Sequence, residues 1–271
     1  MSLLVPSMRG VIGSATAGGT PLPSIGTRVF SWSSDGEFGS CWADEACTVP
    51  AALGGRVAAI KSSEGAILSQ PDAPQRPLLQ PASQNALPGL FFSDSRDDFL
   101  KSENTTFLNA IRALTALTLL LVWKVAPHPG TDTGICFNRP GSDGGLKVTK
   151  SGGGDDTNGG RAGAGDTYAS YHAAANISAA YAAVISFDGL GGTPKQTRLY
   201  AQAVGNVDAV DTDPSEGGVW SHATMGARKA GTGHADFLTG TIYELLIFDA
   251  AADNTAVTDL FSYATAKWAL P

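Results

Sequence analysis

The stretch that decides the fold runs from Phe237 to Leu270, FLTGTIYELLIFDAAADNTAVTDLFSYATAKWAL. Thr241 to Phe248 concentrates β-branched, aromatic and aliphatic residues, the composition of a strand. Asp253 or Asn254 can cap a helix, because a side-chain oxygen there accepts from a free backbone N–H of the first turn. Val257, Leu260, Phe261, Ala264 and Trp268 then recur at helical spacing, so one stripe faces a core. The order strand, turn, helix predicts that a central strand is laid in last and that the helix seals its end with Trp268.

Upstream, short apolar or alternating runs predict further strands at Arg56–Lys61, Ala66–Gln70, Leu87–Ser93, Asp98–Ser102, Ala116–Val125, Gly134–Asn138, Leu146–Lys150, Ala179–Phe187, Arg198–Val204 and Ala223–Lys229. Clusters of Pro, Gly, Asn and Asp separate them, the spacing of an all-β sandwich or barrel. Phe107, Leu108, Ile111 and Leu114 predict one short helix. Leu117–Trp123 is apolar on both faces, which fits an inner strand covered by loops as well as by an opposing sheet. Ser151–Gly165 reads as a Gly-rich surface loop. It lacks the Gly-Lys-Ser/Thr ending of a phosphate-binding loop. Residues 1–28, rich in Gly, Pro, Ser and Thr, predict an extended N-terminal arm before a sandwich unit at 29–271.

Composition agrees with many tight turns: 33 Gly and 15 Pro, with only 16% charged residues. The 43% apolar content supports a substantial core. A net charge of −7 and the absence of a Lys/Arg run exclude a basic nucleic-acid surface. The longest apolar run, Leu117–Val125, is too short for a helix to span a bilayer, so no membrane insertion is expected. The opening MSLLVPSMRG lacks the basic start and apolar core of a secretory signal, which predicts synthesis in the cytoplasm without export. Cys41 and Cys47 are close enough in sequence to pair. With Cys136 the total is odd, which argues against a disulfide framework and predicts free thiols.

The closing strand and helix carry Gly240, Ile242, Glu244, Leu245, Leu246, Ile247 and Phe248, then Tyr263, Lys267 and Trp268. This resembles the end of laminin-G-like, concanavalin A-like jelly-roll domains of bacterial and phage proteins. Met225-Gly226-Ala227-Arg228 is similar to the strand just before it in that family. Ala73-Pro74-Gln75-Arg76-Pro77, Asn85–Phe92 and Asp97-Asp98-Phe99-Leu100 resemble its N-terminal half. Phe38, Asp44, Ala46, Thr48 and Pro50, followed by Gly55, Val57, Ile60, Lys61, Ser62 and Gly65, are similar to the phage-encoded branch. The usual Asp-Lys-Ser-Gly-Asn-Gly-Asn turn of that branch is here Ile60–Ala66, so no ligand is carried over to it. The resemblance implies an all-β, two-sheet antiparallel jelly-roll sandwich (concanavalin A-like) with an extended N-terminal arm and a short C-terminal helix. Packing and turn motifs of this kind specify fold better than function.

A glycosidase needs two carboxylates flanking a sugar. The enzyme branch on this fold places them as Glu-x-Asp-x-(x)-Glu on one strand face, and no such string occurs here. Asp44-Glu45 and Asp94…Asp97-Asp98 are the nearest clusters. Strand neighbours point to opposite faces, and Asp97 and Asp98 read as a turn and cap. His128, His172, His222 and His234 are scattered, without zinc-motif spacing. No catalytic set emerges, and no cofactor is expected apart from calcium, for which Asp155, Asp156 and Asn158 in the Gly-rich loop are the candidates, with Asp208, Asp211 and Asp213 in a second loop. All of these also read as solvated loop acids. Trp220, Tyr168, Tyr171 and Trp32 are candidate stacking surfaces for sugar rings, with core packing as the plain alternative. Glu244 reads as a structural acceptor near the sheet edge, and Trp268 as core or helix stop.

The resemblance to the phage branch implies a non-enzymatic virion structural protein of a tailed phage or phage-derived particle: a capsid decoration, a spike or fibre, or a tail-attachment component. Its partners would be other virion proteins and its own copies in a homo-oligomer, with surface glycan recognition compatible. The alternative is a carbohydrate-binding module for host polysaccharide. A polysaccharide-cleaving enzyme is a third reading, disfavoured by the missing carboxylate string.

Overall fold

The computed structural model of the 271-residue chain describes residues 21–126, 131–138, 145–150, 156–162, 169–172, 179–188, 196–201, 203–211, 220–230 and 233–271. In chain order its strands begin with β1 (Arg28–Ser33), β2 (Ser40–Trp42), β3 (Ala59–Lys61), β4 (Ile67–Ser69), β5 (Leu78–Gln84), β6 (Leu87–Phe92) and β7 (Leu100–Ser102). Helix α1 (Thr105–Arg112) follows, then β8 (Ala116–Val125), β9 (Asp132–Asn138), β10 (Gly145–Lys150), β11 (Asp156–Ala162), β12 (Ala169–His172) and β13 (Tyr181–Asp188). The chain ends with β14 (Gln196–Ala201), β15 (Ala203–Asp211), β16 (His222–Met225), β17 (Arg228–Ala230), β18 (Gly233–Ala235), β19 (Gly240–Phe248) and helix α2 (Asn254–Trp268).

All but β17 and β18, which pair with each other as a separate two-stranded sheet, form the expected two-sheet antiparallel jelly-roll sandwich. The first sheet has the order β15-β14-β13-β8-β19-β6-β5, with β1 also on β19. The second has the order β12-β11-β10-β9-β16-β7-β4-β3-β2. Phe30, Trp32, Leu119, Leu121, Trp123, Ile242 and Leu245 from the first sheet meet Ile60, Leu68, Leu100, Ile135, Phe137 and Val148 from the second in one buried core.

The closing strand is central, as its composition predicts. On one side β19 pairs with β8 along its length. On the other, Gly240–Ile242 pair with β6 and Glu244–Phe248 with β1. A bulge lies between Ile242 and Glu244. It interrupts the alternation, so Tyr243 and Glu244 both turn to the outer face while Ile242 and Leu245 point inward.

Helix α2 does not seal the end of β19. It lies across the outer face of the first sheet, where Val257, Leu260, Phe261, Tyr263, Ala264 and Trp268 pack on Leu120, Val122, Val184, Tyr243, Leu246 and Phe248. This explains why β8 is apolar on both faces: the second cover is the C-terminal helix, not loops. Asp253 is the cap, accepting from the Ala256 N–H at 2.8 Å. Residues 1–20 of the predicted arm lie outside the described residues. Ile25 is buried and Leu22 packs beside α2, and Arg28 opens β1.

The Gly-rich stretch is not a loop throughout. Thr157–Ala162 pairs with β10 on one side, and Asp156–Gly159 with β12 on the other. The predicted strand Arg198–Val204 is instead a tight hairpin that places Tyr200 opposite Val207. Edge strand β5 escapes sequence reading because it contains Pro81 and shifts register between Gln80 and Gln84.

Candidate functional site

The densest chemistry in the described residues is a buried acid. Glu244 is completely inaccessible. Its carboxylate accepts from Tyr263 Oη at 2.8 Å, Lys267 Nζ at 3.0 Å and Trp268 Nε1 at 2.8 Å, all from the C-terminal half of α2. Lys267 also reaches Glu37 at 2.7 Å and Asp35 at 3.4 Å in the turn after β1. Burial pushes the Glu244 carboxyl above its ordinary range, opposed by the Lys267 charge and the three donors. Burial pulls Lys267 down, but the charges of Glu244 and Asp35 outweigh it and hold the ammonium above its usual value. Both carboxylate oxygens are occupied by the protein's own donors, so this cluster clamps the helix to the sheet. Glu244 is the structural acceptor expected, placed on the covered face of a central strand rather than at the sheet edge.

Other acids and bases of the resemblance motifs are likewise structural. Asp98 is fully buried. It accepts from Ser93 N at 3.1 Å and from Arg96 Nη2 at 2.5 Å. Asp97 ends a short 3-10 turn at φ 54°, so the pair forms the expected turn and cap. Arg76 donates to the carbonyls of Gln70 and Pro71 at 2.8 and 3.0 Å. Asp44 accepts from Thr48 N, Val49 N and Thr48 Oγ1 at 2.9, 2.8 and 2.5 Å, which closes the turn after β2. The third buried carboxylate among the described residues, Asp132, accepts from Thr239 N at 2.8 Å and lies 3.9 Å from the buried Lys150.

Two of the predicted sugar platforms are core residues. Trp32 is 0% exposed and Trp220 3%; both rings are enclosed between the sheets and offer no face to a ligand. Tyr168 lies outside the described residues, as does the side chain of Tyr171, whose backbone is in β12. Of the calcium candidates, Asp155 and Asp213 lie outside the described residues. Asp156 and Asn158 have their backbone in strand β11, and Asp208 and Asp211 in β15, rather than in loops. Their side chains are likewise outside the described set. Among the described residues no group of three or more His, Cys, Asp or Glu side chains could hold a metal ion. Cys41, Cys47 and Cys136 form no disulfide. Burial pushes Cys41 up to about 12, so it stays protonated at neutral pH.

Among the described residues, the second sheet leaves its outer face partly open at β2, β4 and β7. Cys41, Ile60, Leu68 and Leu100 point into the core, so alternation sends Trp42, Ala59, Ser69 and Lys101 outward. Direct pairing lines these four up across β2, β3, β4 and β7. Of the chain's five tryptophans, Trp32, Trp123, Trp220 and Trp268 are buried. Trp42 is the exception, half-buried at the sheet edge beside Pro50, with which it forms a bridge. Val49, next to Pro50, is 54% exposed. Trp42's cross-strand partner is Ala59, which is buried and small enough to let an indole lie against the sheet. Lys101 Nζ bonds Glu103 at 2.9 Å, and Ser69 is half-buried between them and Ala59. Sequence reasoning passed over Trp42. The signal was its setting, Gly39-Ser40-Cys41-Trp42-Ala43-Asp44-Glu45, a polar neighbourhood unlike the aliphatic runs around the buried tryptophans.

No protein-family profile matches the chain, and no curated protein matches it. Solved structures similar to it include the CBM40 of the Ruminococcus gnavus IT-sialidase, at 12% identity and TM-score 0.49 over 63% of this chain and 96% of that one. A leech intramolecular trans-sialidase matches at 15% identity and TM-score 0.46, over 61% of this chain and 26% of that one. The binding domain of botulinum neurotoxin DC matches at 11% identity and TM-score 0.48, over 84% and 51%. All three scores fall below 0.5, so the architecture of this chain rests on its own strand pairing: two antiparallel sheets, one outer face closed by a helix and the other bearing the one tryptophan outside the core.

Proposed function

We propose that the chain is a non-catalytic carbohydrate-recognition module that binds sugar on the outer face of its second sheet. The observation that carries this reading is the placement of Trp42, the single tryptophan left out of the core, at the head of an outward row with Ser69 and Lys101. An indole face packs the apolar C–H face of a sugar ring while neighbouring hydroxyl and ammonium groups bond its hydroxyls. The three buried carboxylates each hold the scaffold together, which supports recognition without cleavage. The test is a glycan array with purified protein and its Trp42→Ala variant. Binding by the parent that the variant loses, at unchanged thermal stability, supports the reading. Silence across bacterial and host polysaccharides overturns it.

A second reading keeps the phage-branch resemblance of residues 38–65: a virion component, assembled in the cytoplasm, whose partners are other virion proteins and its own copies. The observation favouring it is the loop after β2, where Val49 and Leu53 are 54% and 56% exposed and Pro50 and Ala52 are exposed with them. Neighbours in a repeating assembly bury apolar surface of this kind. A parent that sediments as an oligomer while its Val49→Ser/Leu53→Ser variant sediments as a monomer supports this reading. Equal sedimentation as monomers retires it.

A further inference from the structure

We infer that the ligand of the Trp42 face is an uncharged polysaccharide bound along its chain, not an acidic sugar bound by its end. This rests on the proposed carbohydrate reading and narrows it by charge and by shape. Two cations near the row are matched. Arg76 lies 3.7 Å from Glu45, and Lys101 bonds Glu103 at 2.9 Å. Along the row from Trp42 to Lys101 the one cation, Lys101, is ion-paired, so the row presents an ion pair and a hydroxyl rather than an unpaired positive charge. The whole chain carries −7, which repels a polyanion at long range. A polysaccharide without charge meets neither penalty.

Shape gives the second half. Small-molecule sites are concave and enclose most of their ligand. Trp42 lies instead on a sheet face at the last strand, where the row meets solvent at Val49 and Pro50. At roughly 4.8 Å per strand spacing, the three steps from Trp42 to Lys101 cover about 14 Å. Beyond Lys101 the register runs into Thr224 and Cys136, which are buried, so the open row ends at Lys101. A flat row open at the sheet edge gains affinity by contacting successive rings of one chain, and a single ring buries too little surface to bind well.

The experiment is affinity electrophoresis through gels containing dextran, galactomannan or hydroxyethylcellulose, and in parallel polygalacturonate or polysialic acid. Calorimetry with mono- to trisaccharides of any retarding polymer and with 3′-sialyllactose accompanies it. The parent, Trp42→Ala, Trp42→Tyr and Lys101→Ala are compared, with melting temperature and circular dichroism confirming the fold of each. The expected result is retardation by at least one neutral polymer, at least tenfold weaker in Trp42→Ala and partly restored in Trp42→Tyr. Trisaccharide affinity should be at least tenfold below that of the polymer, and the anionic gels should not retard the parent. Trp42-dependent binding of 3′-sialyllactose or of an anionic polymer overturns this inference and leaves the carbohydrate reading standing. A folded parent retarded by no gel, with no calorimetric signal, overturns both. Should Trp42→Ala fail to fold, the Trp42→Tyr and Lys101→Ala comparison decides: neutral-polymer affinity unchanged in both places the ligand elsewhere and overturns the inference.

Discussion

Replacing Glu244 by Ala should loosen helix α2 more than any other single polar change in the first sheet. The carboxylate is fully buried and is the shared acceptor for Tyr263, Lys267 and Trp268. Truncation leaves the Trp268 N–H and Tyr263 O–H enclosed without that acceptor, at about 1–3 kcal/mol each. Lys267 is the lesser loss, because Glu37 at 2.7 Å and Asp35 at 3.4 Å still face it. The sum falls at roughly 3–5 kcal/mol, the range for breaking a buried ion pair from one side. For a chain of this size that is a fall of about 10 °C in melting temperature. Glu244→Gln keeps the volume and one good acceptor and should cost about half as much. Urea unfolding followed by tryptophan fluorescence measures both. A loss below about 1 kcal/mol for Glu244→Ala would refute the reasoning, because it would mean that the donors of α2 find solvent or other partners and the clamp is incidental.

The Lys267 ammonium is held above the usual lysine value in the folded state, so the stability it contributes is complete below the unfolded pKa and disappears as pH rises through the folded one. Wild-type protein should therefore lose more stability than Lys267→Met above about pH 10.4, measured as urea midpoints across an alkaline series; parallel curves would contradict the assignment. Gly226 has φ 84°, and a Cβ there would lie 2.3 Å from Phe92 Cδ1. Gly226→Ala should cost about 1–3 kcal/mol from backbone strain alone, and a melting temperature unchanged from the parent would show that the turn can move. Asp44→Ala removes the acceptor that closes the Asp44–Val49 turn. Protease cleavage after Val49 or Leu53 should accelerate while the melting temperature stays near that of the parent. The Thr48 hydroxyl bond holds the Asp44 carboxyl below its usual range, so in the parent the turn is firm above the ordinary aspartate value and opens as pH falls through the lowered one. Amide exchange at Thr48 and Val49 should quicken there.

How far the sequence could be read depended on whether local pattern and tertiary setting agreed. The bounds of Ala116–Val125 are those predicted, because a strand whose centre, Leu117–Trp123, is apolar on both faces and which is bounded by polar turns has few other solutions. Helix α2 and its cap were legible for the same reason. Its docking site was not: a stripe at helical spacing says that one face is covered, but not by what. The bulge beside Tyr243 was hidden because period-two reading sends Tyr243 and Glu244 to opposite faces, whereas both face α2. Strand β11 was hidden by composition. Gly159 and Gly160 suggest a loop, and only the ladders with β10 and β12 overrule them. For Trp32 and Trp220 the sequence leaves a sugar platform and core packing both open, because burial by an opposing sheet leaves no local mark; both are core.

The residues that carry the sequence resemblance have one physical property in common. Glu244, Lys267 and Trp268 fix the helix; Arg76 and Asp98 fix the crossing between the sheets; Asp44 closes a turn; Gly226 admits the Phe92 ring. Each has its bonding capacity spent inside the molecule, so a change at any of them alters the scaffold first, globally or, at Asp44, in one turn, and binding only as a consequence. Recognition has to be carried by positions that the scaffold leaves free, which the resemblance does not constrain. Trp42 is such a position: it falls in the unconstrained interval between Phe38 and Asp44, and the fold would close equally well over an alanine there. If Trp42→Ala instead proved as destabilising as Glu244→Ala, its ring would be a packing element like the other four tryptophans, and the open face of the second sheet would lose the one feature that marks it as a binding surface.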